Sequence, residues 1–241
     1  MTFPLRSFTS CALLLVFFAT AAHAQENKTI HDAIKPVPRA GGWMKRHEAM
    51  NTRVKQGNVD LVFIGDSITQ GWEGRGKNVW AKFYGKRNAV NLGIGGDRTQ
   101  HVIWRLDNGN LTGIAPKAAV IMIGTNNSGS NSPEEIAEGV TAIVRQLQKK
   151  TPKTKILLLA TFPRGANPAD KRRRVNERSN AIVAKLATND HVFYLDIGKE
   201  FLSDEGLLSK EIMPDLLHLS ERGYTIWAES IEPTLAKLMG E

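Results

Sequence analysis

The stretch Val59-Asp60-Leu61-Val62-Phe63-Ile64-Gly65-Asp66-Ser67 decides the fold. It passes from apolar, largely β-branched residues straight into a glycine-acid-serine turn. A nearly continuous apolar run of this length suits a strand buried on both faces, as in a parallel sheet. Four more runs rich in Val, Ile and Leu follow, at 89–92, 118–123, 155–160 and 192–195. Helical patterns lie between them. Ile136, Val140, Ile143, Val144 and Leu147 form one apolar stripe. Ser132-Pro133-Glu134-Glu135 opens that helix with an N-cap, a proline in the first turn and a capping-box acid. Lys149 and Lys150 then suit the negative end of its dipole. The last helix repeats the stripe with Tyr224, Trp227, Ile231, Leu235 and Leu238, and Pro233 is expected to kink or split it. Alternating strands and helices predict the α/β class: a single three-layer α/β/α domain on a five-stranded parallel sheet, flavodoxin-like, in the order 2-1-3-4-5.

Composition bounds the rest. The 241 residues are 41% hydrophobic and 23% charged, which excludes disorder, collagen and a polytopic membrane protein. Lys and Arg number 32 against 24 acids, a formal +8 that invites a nucleic-acid reading. The N-terminus redirects it. Arg6, the apolar run at 11–22 and Ala22-His23-Ala24 have the layout of a cleaved secretory signal. The run is too short to cross a bilayer as a mature helix. The expectation is therefore a signal peptide at 1–24, a secreted or periplasmic product, no integral membrane segment after cleavage and no nucleic-acid partner. Cys11, the only cysteine, would leave with the signal, and a lone cysteine excludes a disulfide framework. Residues 25–40, with Pro36 and Pro38, read as an extended lead-in, and 41–241 as the domain.

Three polar clusters each begin where an expected strand ends: Gly65-Asp66-Ser67-Ile68, Gly93-Ile94-Gly95-Gly96-Asp97 and Gly124-Thr125-Asn126-Asn127. The carboxyl ends of parallel strands share one edge of the sheet, where ligands bind. A fourth cluster, Asp215-Leu216-Leu217-His218, precedes the last helix and could fold over the same edge. A serine, backbone and amide donors, and an Asp/His pair would then meet.

These four clusters, in this order and spacing, resemble the GDSL or SGNH hydrolases. Within that family the chain is most similar to esterases like the catalytic subunits of platelet-activating factor acetylhydrolase. Trp104-Arg105-Leu106, Pro163-Arg164-Gly165 and Leu217-His218-Leu219-Ser220 add to the likeness, which runs from about residue 42 to the last helix. Ile68 stands where the family name has leucine. The resemblance implies an SGNH hydrolase fold and a serine esterase that needs no metal or cofactor. Ser67 would be the nucleophile and His218 the base that takes its proton. Asp215 would accept the other ring N–H. The family places the Ser67 amide, the Gly96 amide and the Asn126 side chain in the oxyanion hole. It also implies short acyl groups, acetyl first, and export makes O-acetylated carbohydrate the expected substrate class. The alternatives are a lysophospholipase or thioesterase with a longer acyl pocket, and a non-catalytic carbohydrate-binding module on the same fold.

Other features carry competing readings. Asp66 is expected to hydrogen-bond its own loop rather than serve as the triad acid. Trp72 reads equally as a pocket wall or a core residue, and Asp97 is a candidate substrate contact. His101 could approach the site edge but has no acid at a matching offset, so it reads as packing. Gly71-Trp72-Glu73-Gly74-Arg75-Gly76-Lys77 fits the phosphate-loop pattern until Asn78, where Ser or Thr is required. Lys171-Arg172-Arg173-Arg174 reads as a solvated helix face, with Val175, Ile182, Val183 and Leu186 as the buried stripe, or as a dock for an anionic polymer.

Overall fold

The computed structural model describes residues 1, 2, 30–188 and 190–241, so the apolar run, Cys11 and the cleavage motif of the expected signal lie outside the described residues. Five strands, β1 (Leu61–Gly65), β2 (Ala89–Gly93), β3 (Ala118–Met122), β4 (Lys155–Leu159) and β5 (Val192–Leu195), pair in parallel in the order β2-β1-β3-β4-β5. The expected flavodoxin-like order holds. Gly65 is level with Gly93 on one side and Met122 on the other, so the turns after β1, β2 and β3 emerge side by side.

Strand residues alternate between two cores, as the two-residue period of a strand requires. Val62, Ile64, Ala119, Ile121, Ile156 and Leu158 face one side, and α1 (Gly42–Lys55), α4 (Thr99–Asp107), α5 (Pro133–Lys150) and α6 (Lys171–Val183) cover it. Leu61, Phe63, Val120, Met122, Leu157 and Leu159 face the other, under α3 (Lys77–Tyr84), α7 (Glu221–Met239) and the single turn α2 (Ser67–Gln70). The capping box forms as the sequence implies: Glu135 N–H donates to Ser132 Oγ at 3.2 Å and Ser132 N–H to Glu135 Oε2 at 3.1 Å. Among the described residues no helix is long and apolar enough to cross a membrane.

Three expectations are corrected. The last helix is not split: α7 runs unbroken through Pro233, because Ile231, Leu235 and Met239 are buried on both sides of the proline and hold the two halves on one core. The buried face of α6 keeps Val183 of the expected stripe, with Ile182 and Leu186 half-buried against the core, but is otherwise polar: Arg173, Asn176, Ser179 and Asn180. These polar groups find partners inside: Asn180 bonds Thr161 through both N–H and C=O, and Arg173 reaches Glu177 and the Gly206 carbonyl. Arg173 therefore leaves the solvated basic run. Finally, the lead-in is not simply extended. Residues Asp32–Ile34 form a 3₁₀ turn, and Ala33 is fully buried, its carbonyl accepting from Thr99 Oγ1 at 2.7 Å. Gly139 on α5 permits that approach, since a Cβ there would lie 2.9 Å from the Ala33 carbonyl oxygen.

Candidate active site

Ser67 is the first residue of α2 and follows β1 by one residue. Asp66 makes the sharp turn possible by capping α2: its Oδ1 accepts the Ile68 N–H at 3.0 Å. The expected loop role of Asp66 is thus visible. Burial pushes its carboxyl up to about 7, against the Ile68 hydrogen bond that pulls it down. Close packing under the turn depends on missing side chains. A Cβ on Gly65 would fall 2.0 Å from Thr69 Oγ1 and 2.5 Å from the Met122 carbonyl oxygen.

His218 comes from the far end of the chain, in the irregular segment before α7. Ser67 Oγ and His218 Nε2 lie 2.9 Å apart, and His218 Nδ1 and Asp215 Oδ2 lie 2.7 Å apart. Asp215 Oδ1 also accepts the backbone N–H of Leu217 at 3.1 Å and of His218 at 2.7 Å. Asp215 and His218 therefore share one tight turn, closed by Leu216 in the left-handed region at φ 60°. These hydrogen bonds and the His218 charge hold the Asp215 carboxyl at about 2 despite some desolvation. Tyr224 on α7 anchors this segment to the serine, its hydroxyl donating to the Ile68 carbonyl at 2.7 Å.

The donor loops converge as well. Gly96 has φ 74°, a conformation that favours glycine, and its amide has no hydrogen-bond partner among the described residues. The same holds for the Ser67 amide. Gly95 N–H donates to Gln70 Oε1 at 2.7 Å, tying this loop to α2. Asn126 Nδ2 donates to the Asp97 carbonyl at 2.9 Å, and its second hydrogen has only a 3.4 Å contact with Asp66 Oδ2.

The structure takes two candidate substrate contacts away. Asp97 is fully buried, with Oδ1 accepting from Trp43 Nε1 at 2.6 Å and Oδ2 from Arg105 Nε at 2.8 Å. Its carboxylate cannot reach a ligand. Trp72 is 1% exposed and packs with Phe63, Tyr84, Tyr224 and Trp227, so it is core. His101 accepts the Arg98 N–H at 3.0 Å as part of the α4 cap, and burial lowers its ring to about 4.

Two arginines take roles that the sequence did not assign: Arg105, noted only within a family likeness, and Arg39, not noted at all. Arg105, fully buried, donates to Asp97, to Asn110 Oδ1 at 2.8 Å and to the Gly65 carbonyl at 3.0 Å, bracing the nucleophile turn against the Gly96 loop. Its signal was present in the buried stripe of α4, where Val102 and Leu106 flank it. Arg39, in the lead-in, donates to the Gly95 carbonyl at 2.8 Å. A lead-in residue carries no pattern that would have marked it.

The chain matches the family described as "GDSL-like Lipase/Acylhydrolase" over residues 63–226. It is 36% identical over 209 residues to the platelet-activating factor acetylhydrolase IB subunit alpha1 of Bos taurus, covering 86% of this chain and 88% of that one. Among solved structures, a GDSL-like lipase of Bacteroides thetaiotaomicron superposes with a TM-score of 0.61 at 20% identity, covering 80% of this chain and 97% of that one. Axe2, an acetylxylan esterase of Geobacillus stearothermophilus, superposes with a TM-score of 0.60 at 21% identity, covering 77% and 95%. A family match through both ends of the site and a relative alike over most of its length agree with the fold: this chain belongs to the GDSL-like lipase and acylhydrolase family of carboxylic ester hydrolases.

Proposed function

We propose that the chain is a serine esterase that cleaves short-chain esters, acetyl esters first, through an acyl-enzyme. The observation that carries this is the hydrogen-bonded series Ser67 Oγ, His218 Nε2, His218 Nδ1, Asp215 Oδ2, at 2.9 and 2.7 Å. Ser67 Oγ attacks the ester carbonyl as its proton passes to His218 Nε2, and Asp215 steadies the imidazolium. The carbonyl oxygen becomes an oxyanion, and the Ser67 and Gly96 amides and the second hydrogen of Asn126 Nδ2 receive it. Collapse expels the alcohol, which takes the proton from His218. Water then repeats the sequence, and the carboxylic acid leaves with Ser67 restored.

The acetyl preference is supported by the bovine relative, whose name is that of an acetylhydrolase. O-acetylated carbohydrate is the substrate class that an exported esterase would meet, and Ala22-His23-Ala24 supports export by a cleaved signal. The test is hydrolysis of p-nitrophenyl esters by the wild type and by Ser67→Ala. Loss of about 10⁶ in kcat is expected for the variant. Equal rates would refute the nucleophile and favour a binding module. Rates that climb from acetyl to octanoyl would instead favour a longer acyl pocket.

A further inference from the structure

Two guanidinium groups stand on the site's rim: Arg39, which shares its one carboxylate within 4 Å, and Arg164, which has none there, among the described residues. Ser67 follows β1, which lies between β2 and β3 in the sheet. Arg39 sits on the β2 side: its Nη1 donates to the Gly95 carbonyl at 2.8 Å and lies 3.0 Å from where a Cβ on Gly96 would be. The nearest acid, Asp97, is 3.8 Å away and already holds Trp43 and Arg105. The Arg39 side chain is 40% exposed.

Arg164 sits on the other side, in the loop after β4. It spends only Nη1, on the Thr125 carbonyl at 3.3 Å and Thr125 Oγ1 at 3.1 Å, next to Asn126. It makes no ion pair within 4 Å among the described residues, although it is partly buried. The Asp170, Asp66 and Asp215 carboxylates lie near enough to act on it, but none pairs with it, and a half-buried guanidinium with no direct carboxylate partner is open to an anionic one. Arg172, from α6, adds a third positive charge over Gly129, beyond the end of β3. The acids nearby are all engaged: Asp66 and Asp97 are buried, Asp215 holds His218, and Asp170 caps α6.

Given the esterase reading, on which this step rests, a two-carbon acyl group has no room for a charge. An ionised group must then belong to the alcohol. We infer that the preferred substrate carries an anionic group, a carboxylate or a phosphate monoester, on its alcohol half, held between Arg39 and Arg164 while the acyl carbon meets Ser67. Arginine suits this role because its planar fork can pair two acceptor oxygens at once.

The experiment compares kcat/KM for three matched acetates whose alcohol carries a neutral amide, a carboxylate or a phosphate monoester. Wild type is expected to favour the charged esters by about tenfold or more, the worth of one charge-assisted hydrogen bond. That ratio should fall as ionic strength rises. Arg39→Gln and Arg164→Gln should each cut the ratio severalfold. Arg145→Gln, which removes the same charge from the exposed face of α5, should leave it. A preference for the carboxylate arm points to an acidic sugar as the alcohol, and one for the phosphate arm to a phosphorylated alcohol. Turnover of all three acetates at similar rates would overturn this inference alone. Absence of Ser67-dependent turnover of every acetate would overturn the esterase reading and this inference with it.

Discussion

Replacing Asp97 by asparagine removes one charge and almost no volume, in the interior rather than at the chemistry. Both carboxylate oxygens are committed, to Trp43 Nε1 at 2.6 Å and Arg105 Nε at 2.8 Å, and neither partner side of the Asp97–Arg105 pair is solvent-exposed. In Asp97→Asn one oxygen becomes an NH₂ that must face a donor. Arg105 keeps Asn110 Oδ1 and the Gly65 carbonyl but loses its only counter-ion within 4 Å among the described residues. Breaking a buried pair from one side costs about 3–5 kcal/mol, because a charge is left without compensation. Arg105→Met makes the mirror-image error: Asp97 loses its closest counter-ion and keeps Trp43 and, at 3.8 Å, Arg39. Asp97→Asn with Arg105→Met strands no charge, so its cost should fall short of the sum of the singles by about 2–3 kcal/mol. Urea unfolding read at a common slope gives all three values. kcat on p-nitrophenyl acetate gives a second readout, since Arg105 holds the Gly65 carbonyl and the Asp97 carbonyl holds Asn126. Costs that add to within about 0.5 kcal/mol would refute the claim that this pair is one electrostatic unit.

Three further outcomes are expected. Asp66 has its folded pKa raised from 3.8 to about 7, so between those pH values the folded chain keeps a proton that the unfolded chain has released. Stability should therefore fall as pH climbs through that window, by up to about 4 kcal/mol, and Asp66→Asn should flatten the denaturation-midpoint profile from pH 4 to 8. Asp215→Ala should lower kcat by about 10⁴, as loss of a triad acid does elsewhere. Its thermal midpoint should stay near wild type because the Asp215 side chain is 54% exposed. Gly96→Ala places a methyl group 3.0 Å from Arg39 Nη1 at φ 74°; it should lower kcat by about tenfold or more with KM nearly unchanged, measured on p-nitrophenyl acetate.

The fold was legible because its signals are local. Each strand is a short, mostly apolar run rich in aliphatic or aromatic residues, and α5 announces itself by Ser132, Pro133 and Glu135. Where the reading went astray, charge or polarity lay inside. Arg105, Arg173, Asn176 and Asn180 look like surface residues in a pattern of hydrophobicity, yet each is buried against a partner distant in sequence. Asp97 failed as a ligand contact for the same reason. Pro233 misled in the opposite direction, since a local break signal was overridden by apolar residues packed on both sides of it. Helix α1 was legible in principle, with Trp43, His47, Met50 and Val54 at helical spacing, but its polar remainder masked the stripe. The four site clusters stood out because glycines and turn residues mark strand ends regardless of what lies behind them.

The span between Ser67 and His218, 151 residues, has a consequence for the life of the chain. A ribosome delivers the serine 151 residues before the imidazole. The His218 segment is held in part by α7, through Tyr224 on the Ile68 carbonyl. On the proposed mechanism, until the segment carrying His218 has folded onto Ser67 the hydroxyl has no base, and the nascent polypeptide should be inert toward esters. On that mechanism the esterase is switched on by long-range folding rather than by cutting.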